Sequence, residues 1–292
     1  MKITSQLATA SPNAPNLTFA FDDTVDQYVL GASEIYYTFG SNDHHIKKIK
    51  LNMAPSNSGS TVSATISMTL SDDSGNDISS SSYVNVACLA ALGQNTYSNV
   101  QMTSNLAFGS GESSSPITLD NTTYINEAIM EGFELAYNED HHLKRIYANV
   151  SVSVQQGKSA TVTGSDDMYD DSGNSATTKN LQAAYLGTYI NGSDSGLVAI
   201  EQSYDTGAGL QNVDLSTYLG GKTLTGAAVI LKSYDLSFSG DHHMKYLKVG
   251  ADTVAFDGST VSFTPMAEMK DDSSHSASGS VTLIIIGTCD PN

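Results

Sequence analysis

Asp43-His44-His45-Ile46-Lys47, Asp140-His141-His142-Leu143-Lys144 and Asp241-His242-His243-Met244-Lys245 are three copies of one short stretch. Six of the seven histidines lie in them, so an internal repeat organises this chain. The intervals between the motif aspartates are 97 residues (43 to 140) and 101 residues (140 to 241). That is the size of a small domain, not of a solenoid unit. A second landmark keeps the register. Asp72-Asp73-Ser74-Gly75-Asn76, Asp170-Asp171-Ser172-Gly173-Asn174 and Asp271-Asp272-Ser273-Ser274-His275 follow the motif aspartates at offsets of 29, 30 and 30.

Around these landmarks the apolar residues alternate. Phe133, Leu135, Tyr137 and Tyr234, Leu236, Phe238 precede the motif at equal offsets; Ile35, Tyr37 and Phe39 do so shifted by one. Period two with aromatics predicts half-buried strands ending at the histidines. After the motif the alternation resumes out of phase with Ile46, Leu143 and Met244, which predicts a bulge or tight turn there. A further strand leads into each acidic turn. Short apolar runs at Val84–Leu92, Leu181–Leu186 and Val281–Ile286 read as central strands covered on both faces. The segment 125–135 is the best candidate for a helix or an irregular connection.

The fold expected is therefore all-β: three tandem homologous antiparallel β-sandwich domains of jelly-roll or Ig-like type. The boundaries read as an N-terminal arm at 1–15, with the arm extended and free to reach a neighbour, and β domains at 16–110, 117–205 and 207–292. A Gly/Asn/Ser linker is expected at 94–116, with the 100–108 alternation an extra strand of the first domain.

The chain of 292 residues carries a formal charge of −18. Such a surface repels phosphate backbones and anionic bilayers, which argues against nucleic acid and membrane adsorption as partners. No apolar stretch is long enough for a membrane-spanning helix. The start Met1-Lys2-Ile3-Thr4-Ser5-Gln6 lacks the apolar centre of a cleaved signal peptide, so synthesis in a cytoplasm is expected, with the protein ending in a virion or extracellular particle. The two cysteines, Cys88 and Cys289, fall in different repeats and are not expected to pair. Lys47, Lys48, Lys50, Lys144, Arg145, Lys245 and Lys248, seven of thirteen basic residues, follow the motifs closely and read as guards of a strand edge.

Chemistry is sparse. Imidazoles suit Zn, Cu, Ni and Fe, but adjacent residues on a strand point to opposite faces, so a regular strand does not aim both rings of a pair at one ion, whereas a bulge or turn can. The first expectation is structural: Asp43, Asp140 and Asp241 hold a turn, one histidine of His44/His45, His141/His142 and His242/His243 caps a strand end, and the other covers the core. A second arrangement is a pseudo-threefold ring in which equivalent histidines converge on an axis and hold a metal, an anion or a partner. The Asp-rich turns share residue types with calcium loops but lack their spacing, and simple turns use the same residues. No resident cofactor is expected; a divalent metal at the histidines or Ca2+ at the turns is the alternative. No hydrolase, metalloprotease or nucleotide-binding motif is present, and the chain is read as no enzyme.

The Ser/Thr/Asn/Gly-rich, Lys-poor composition resembles that of virion and tail-type structural proteins. That resemblance implies a self-assembling, oligomeric component that contacts other subunits or a host surface. The second reading is a multivalent carbohydrate-binding protein, with 15 tyrosines as stacking faces and no tryptophan.

Overall fold

The computed structural model describes residues 2–93 and 99–291; residues 94–98 of the expected linker lie outside the described residues. Repeat one supplies β1 (Lys2–Ala10), β2 (Asn16–Ala20), β3 (Val25–Thr38), β4 (Ile46–Ser58), β5 (Thr61–Ser71) and β6 (Tyr83–Leu92). Repeat two supplies β7 (Val100–Gly109), β8 (Ile117–Thr118), β9 (Ile125–His141), β10 (Leu143–Gln155), β11 (Ser159–Tyr169) and β12 (Thr178–Thr188). A helical turn, α1 (Gly192–Ser195), leads to repeat three: β13 (Leu197–Asp205), β14 (Gln211–Asp214), the turn α2 (Ser216–Leu219), β15 (Gly226–His242), β16 (Tyr246–Asp257), β17 (Thr260–Lys270) and β18 (Ser278–Thr288). Each repeat is thus six strands, and all ladders between them are antiparallel.

The strands form three six-stranded sheets, and every sheet is shared by two repeats. The orders are β1-β6-β3-β16-β17-β14, β2-β5-β4-β9-β12-β7 and β13-β18-β15-β10-β11-β8. In each repeat the first, sixth and third strands belong to one sheet, and the second, fifth and fourth to the next. Cyclic sharing of this kind is a pseudo-threefold arrangement. It departs from the expected row of self-contained sandwiches: β4, β10 and β16 each find a ladder partner in another repeat, β9, β15 and β3 respectively. One buried apolar cluster accordingly draws on all three repeats, from Leu30 and Phe133 to Leu283. By strands the repeats run Lys2–Leu92, Val100–Thr188 and Leu197–Thr288, so the expected units 16–110, 117–205 and 207–292 each cut off the repeat's first strand, and the sheets run across either set of boundaries.

Four local expectations change. Residues 2–10 are not a loose arm but β1, paired along its length with β6. The 100–108 alternation is β7, which pairs with β12 of repeat two. The segment 125–135 is extended, within β9. Its residues Ala128–Phe133 are all buried, and burial of both faces erases the period-two signal that would have marked a strand. The basic residues after the motifs lie on β4, β10 and β16, or in the case of Lys245 just before β16, and these are interior strands, so they guard no edge. One edge of each sheet is short, since β2, β8 and β14 have five, two and four residues, while the opposite edges, β1, β7 and β13, are full-length strands.

A second apolar cluster comes only from first, third and sixth strands: Ile3, Val29 and Leu89, with Met102, Ile129, Leu186, Ile230 and Ile284 among their counterparts. It fills the space where the three half-sheets face one another. Gly31, Ile129 and Ile230 hold equivalent places there. A Cβ on Gly31 would lie 2.4 Å from a methyl of Ile230 and 2.5 Å from one of Ile129. Two isoleucines fill the space, and a third residue fits only without a side chain.

Just beyond, each third strand carries a bulge opposite its sixth strand, at Ser33, Glu131 and Lys232. Lys232 reaches Glu127 at 3.3 Å and also pairs with Glu201. Glu131 is fully buried. Its Oε2 accepts from the Asn105 N–H at 2.7 Å, while Oε1 has no partner. Burial pushes this carboxyl up to about 8, against hydrogen bonds from Asn105, Ser104 and Leu30. A raised folded-state value means the native state holds the proton over a pH range where the unfolded chain has lost it. Stability is then full below pH ~4.5 and declines as pH rises toward ~8. Urea unfolding between pH 5 and 8.5 is expected to show this decline, on the order of a few kcal/mol, and Glu131→Gln to flatten it. An unchanged slope in the variant assigns the decline to other groups.

Candidate functional site

The histidine motif marks the corner where the chain leaves one sheet for the next, from β3 to β4, β9 to β10 and β15 to β16. The three corners meet. Ile46 pairs with His141 and Leu143 with His242. His44 and Met244 exchange two backbone hydrogen bonds, at 3.1 and 2.9 Å. The apolar residue of each motif is thus bonded to the first histidine of the following one, closing a cycle of three. Ile46, Leu143 and Met244 are all buried beneath it. The ladder register shifts right after Ile46 and Leu143, where the lost phase predicts a bulge.

Each other motif residue has one task. The first histidine lies over an aromatic residue four or five positions before it, near the end of the third strand of the repeat. His44 sits on Phe39, His141 on Tyr137 and His242 on Phe238, with ring centroids 4.9, 4.6 and 4.8 Å apart. Its Nδ1 faces the first aspartate of the acidic turn: Asp72 at 3.4 Å, Asp170 at 3.3 Å and Asp271 at 2.9 Å. Those aspartates also close the turn, accepting from the backbone N–H of Asn76, Asn174 and His275 at 2.8, 2.9 and 2.8 Å. Burial raises their affinity for a proton. Hydrogen bonds from Asn76, Asn174 and His275 more than offset it, so all three sit below an ordinary aspartate.

The motif lysine pairs with the second aspartate of the same turn, as Lys47–Asp73, Lys144–Asp171 and Lys245–Asp272. Hydrogen bonds from Lys47 and Lys245 hold Asp73 and Asp272 low. The same carboxylates reach the next repeat: Asp73 accepts from Asp140 N at 3.0 Å and Asp272 from Asp43 N at 2.8 Å. At the third junction Asp171 N donates to Asp241 at 2.6 Å. The remaining basic residues clamp the sheet seams, Lys48 and Lys50 on Glu134, Arg145 bidentate on Asp235 and Lys248 on Glu34.

The second histidines converge. One ring nitrogen from each of His45, His142 and His243 lies within 4.8 Å of the other two. The Nε2 atoms of His45 and His142 are 3.3 Å apart, and the ring centroids are separated by 4.3 to 4.9 Å. Behind the rings stand motif aspartates of neighbouring repeats. Asp140 is 3.5 Å from His45 Nδ1, and Asp43 is 3.4 Å from His243 Nδ1. The rings are partly open to solvent, His142 the most. Hence each pair divides as strand geometry requires: one ring turns to the acidic turn of its own repeat, the other to its counterparts.

His242, Asp271 and His275 form a second cluster, absent from the equivalent places in repeats one and two because asparagine stands where His275 does. Both rings turn Nδ1 to Asp271 Oδ2, at 2.9 and 2.6 Å. His275 repeats the hydrogen bonds of Asn76 and Asn174, so it is a turn residue. Cys88 and Cys289 are both buried thiols. Among the described residues no helix is long and apolar enough to cross a membrane.

Three features leave no mark in the repeat. Glu131 and Asp166 are buried carboxyls; burial brings Asp166 up to about 6. An open cleft of about 350 Å³ lies between Tyr124, Asn191, Val198 and Tyr218, with Tyr124 62% and Tyr218 51% exposed. None belongs to a repeated pattern, so repeat reading passes over them; solitary acids and tyrosines carry no other signal.

Two substitutions separate what closes the junction. Leu143→Ala, which empties a buried plug, is expected to cost about 2–5 kcal/mol. Lys144→Ala removes a half-exposed ion pair and should cost under ~1 kcal/mol. Chemical denaturation of both variants measures the difference; equal costs would mean that charge holds the corners. No protein-family model matches this chain, and no match to it was found among curated proteins.

Proposed function

We propose that this chain is a non-enzymatic structural subunit of a virion, tail or other extracellular particle, and that its repeats make subunit or surface contacts. One observation carries the reading: the motif present three times joins the repeats at one end of a pseudo-threefold body. Its aspartates, lysines and first histidines are each engaged in holding corners together. A body of this symmetry offers three near-equivalent surfaces, which suits contact with three neighbouring subunits or a position on a symmetry axis. The negative surface and the interlocked sheets fit a durable part of an assembly.

Light scattering after size exclusion, with negative-stain images, tests this. Discrete oligomers, rods or rings are expected at high concentration. A single 30.8 kDa species under all conditions would overturn the assembly reading.

The cleft between the exposed Tyr124 and Tyr218 favours carbohydrate binding as a second reading, because aromatic faces beside Asn191 offer both stacking and hydrogen bonds. It stands once, at repeats two and three, and so gives no threefold multivalency by itself. A glycan array with wild type and Tyr218→Ala decides this reading: hits lost in the variant sustain it, and a blank array retires it.

A further inference from the structure

We propose that His45, His142 and His243 bind one divalent transition-metal ion of the Zn2+, Co2+ or Ni2+ class where the three corners meet. Three imidazole nitrogens at a metal–nitrogen distance of about 2.0–2.1 Å, in tetrahedral array, lie about 3.3–3.4 Å from one another. The His45–His142 separation of 3.3 Å meets that, and the third nitrogen lies within the same 4.8 Å group.

The hydrogen-bond chemistry points the same way. A carboxylate only accepts, so Asp140 at 3.5 Å from His45 Nδ1 and Asp43 at 3.4 Å from His243 Nδ1 favour the tautomer with its proton on Nδ1. Nε2 then presents a lone pair. Without metal His142 can donate its Nε2–H to His45 Nε2 across the 3.3 Å; with its proton on Nδ1 instead it presents a lone pair to the same point, which a cation satisfies. A carboxylate behind a ligating imidazole is the usual outer partner of such a cation. The flanking carboxylates oppose an anion at this point. An ion here would keep an open position toward solvent, which water or a donor from a neighbouring molecule fills.

The second histidine cluster shows the contrast. There both Nδ1 atoms point at one carboxylate oxygen, and the hydrogen bonds of the turn account for both rings.

The test uses untagged full-length protein stripped with a chelator, titrated with Co2+ by visible absorption and with Zn2+ by calorimetry. One ion per chain is expected, with the visible bands of cobalt in a nitrogen site. His142→Ala, at an exposed position, should abolish saturable binding while thermal unfolding without metal stays near wild type; His45→Gln repeats the test should the first variant unfold. His44→Ala and His275→Asn should retain binding, and Asp140→Asn should weaken it roughly 10- to 100-fold. No saturable binding by wild type, binding indifferent to His142→Ala, or binding lost in His275→Asn would each overturn the proposal. The oligomeric state bears on the assembly reading alone, so the two fail separately.

Discussion

The structure depends on a crossing. Six strands of one repeat cannot lie in one sheet here, because the chain turns a corner between its third and fourth strands and enters the next sheet. Half of every sheet therefore comes from a different repeat, and a repeat taken alone would leave the inner edges of two half-sheets unpaired. Backbone groups so exposed need partners, and only the other repeats supply them. The corner fixes everything downstream: it brings the three motifs together and makes the core common to all repeats.

A single chain has a freedom at its pseudo-axis that three identical chains lack. Identical subunits must place the same side chain three times around an axis, where three large groups collide and three small ones leave a hole. Here the equivalent places differ. Gly31 makes room for Ile129 and Ile230, whose methyl groups occupy the space a third side chain would need. At the neighbouring bulges Ser33, Glu131 and Lys232 stand in equivalent positions with different solutions: a small hydroxyl, a buried carboxyl and an ion-paired amine.

Repetition made most of the architecture legible. Strand alternation, the central apolar runs, the turns and the bulge after the histidines all follow from period and landmark. The sharing of sheets does not, because an outward-facing residue on β4 looks the same whether its neighbour comes from its own repeat or from the next. Ile49 and Leu51 predict a strand with one buried face and are silent on the partner. The segment 125–135 misleads for a related reason, since a strand buried on both faces has no polar side to mark its period. The site was half legible. Two adjacent histidines on a regular extended chain diverge, which argues against one ion per pair unless a bulge or turn intervenes. That the second ring of each pair finds its counterparts follows only once the corners close in a cycle.

Against this background the persistence of histidine carries weight. Where the three repeats meet in the apolar centre they differ, because identical groups would clash or leave a void. Where the corners meet they are the same: His45, His142 and His243, each in an Asp-His-His stretch, with Asp140 behind the first and Asp43 behind the third. Packing does not ask for this, since the rings are partly solvent-exposed and a polar residue of any kind would serve a corner. Three like ligand atoms around one point are what a central ion requires, and a threefold crossing of one chain is a direct way to build them.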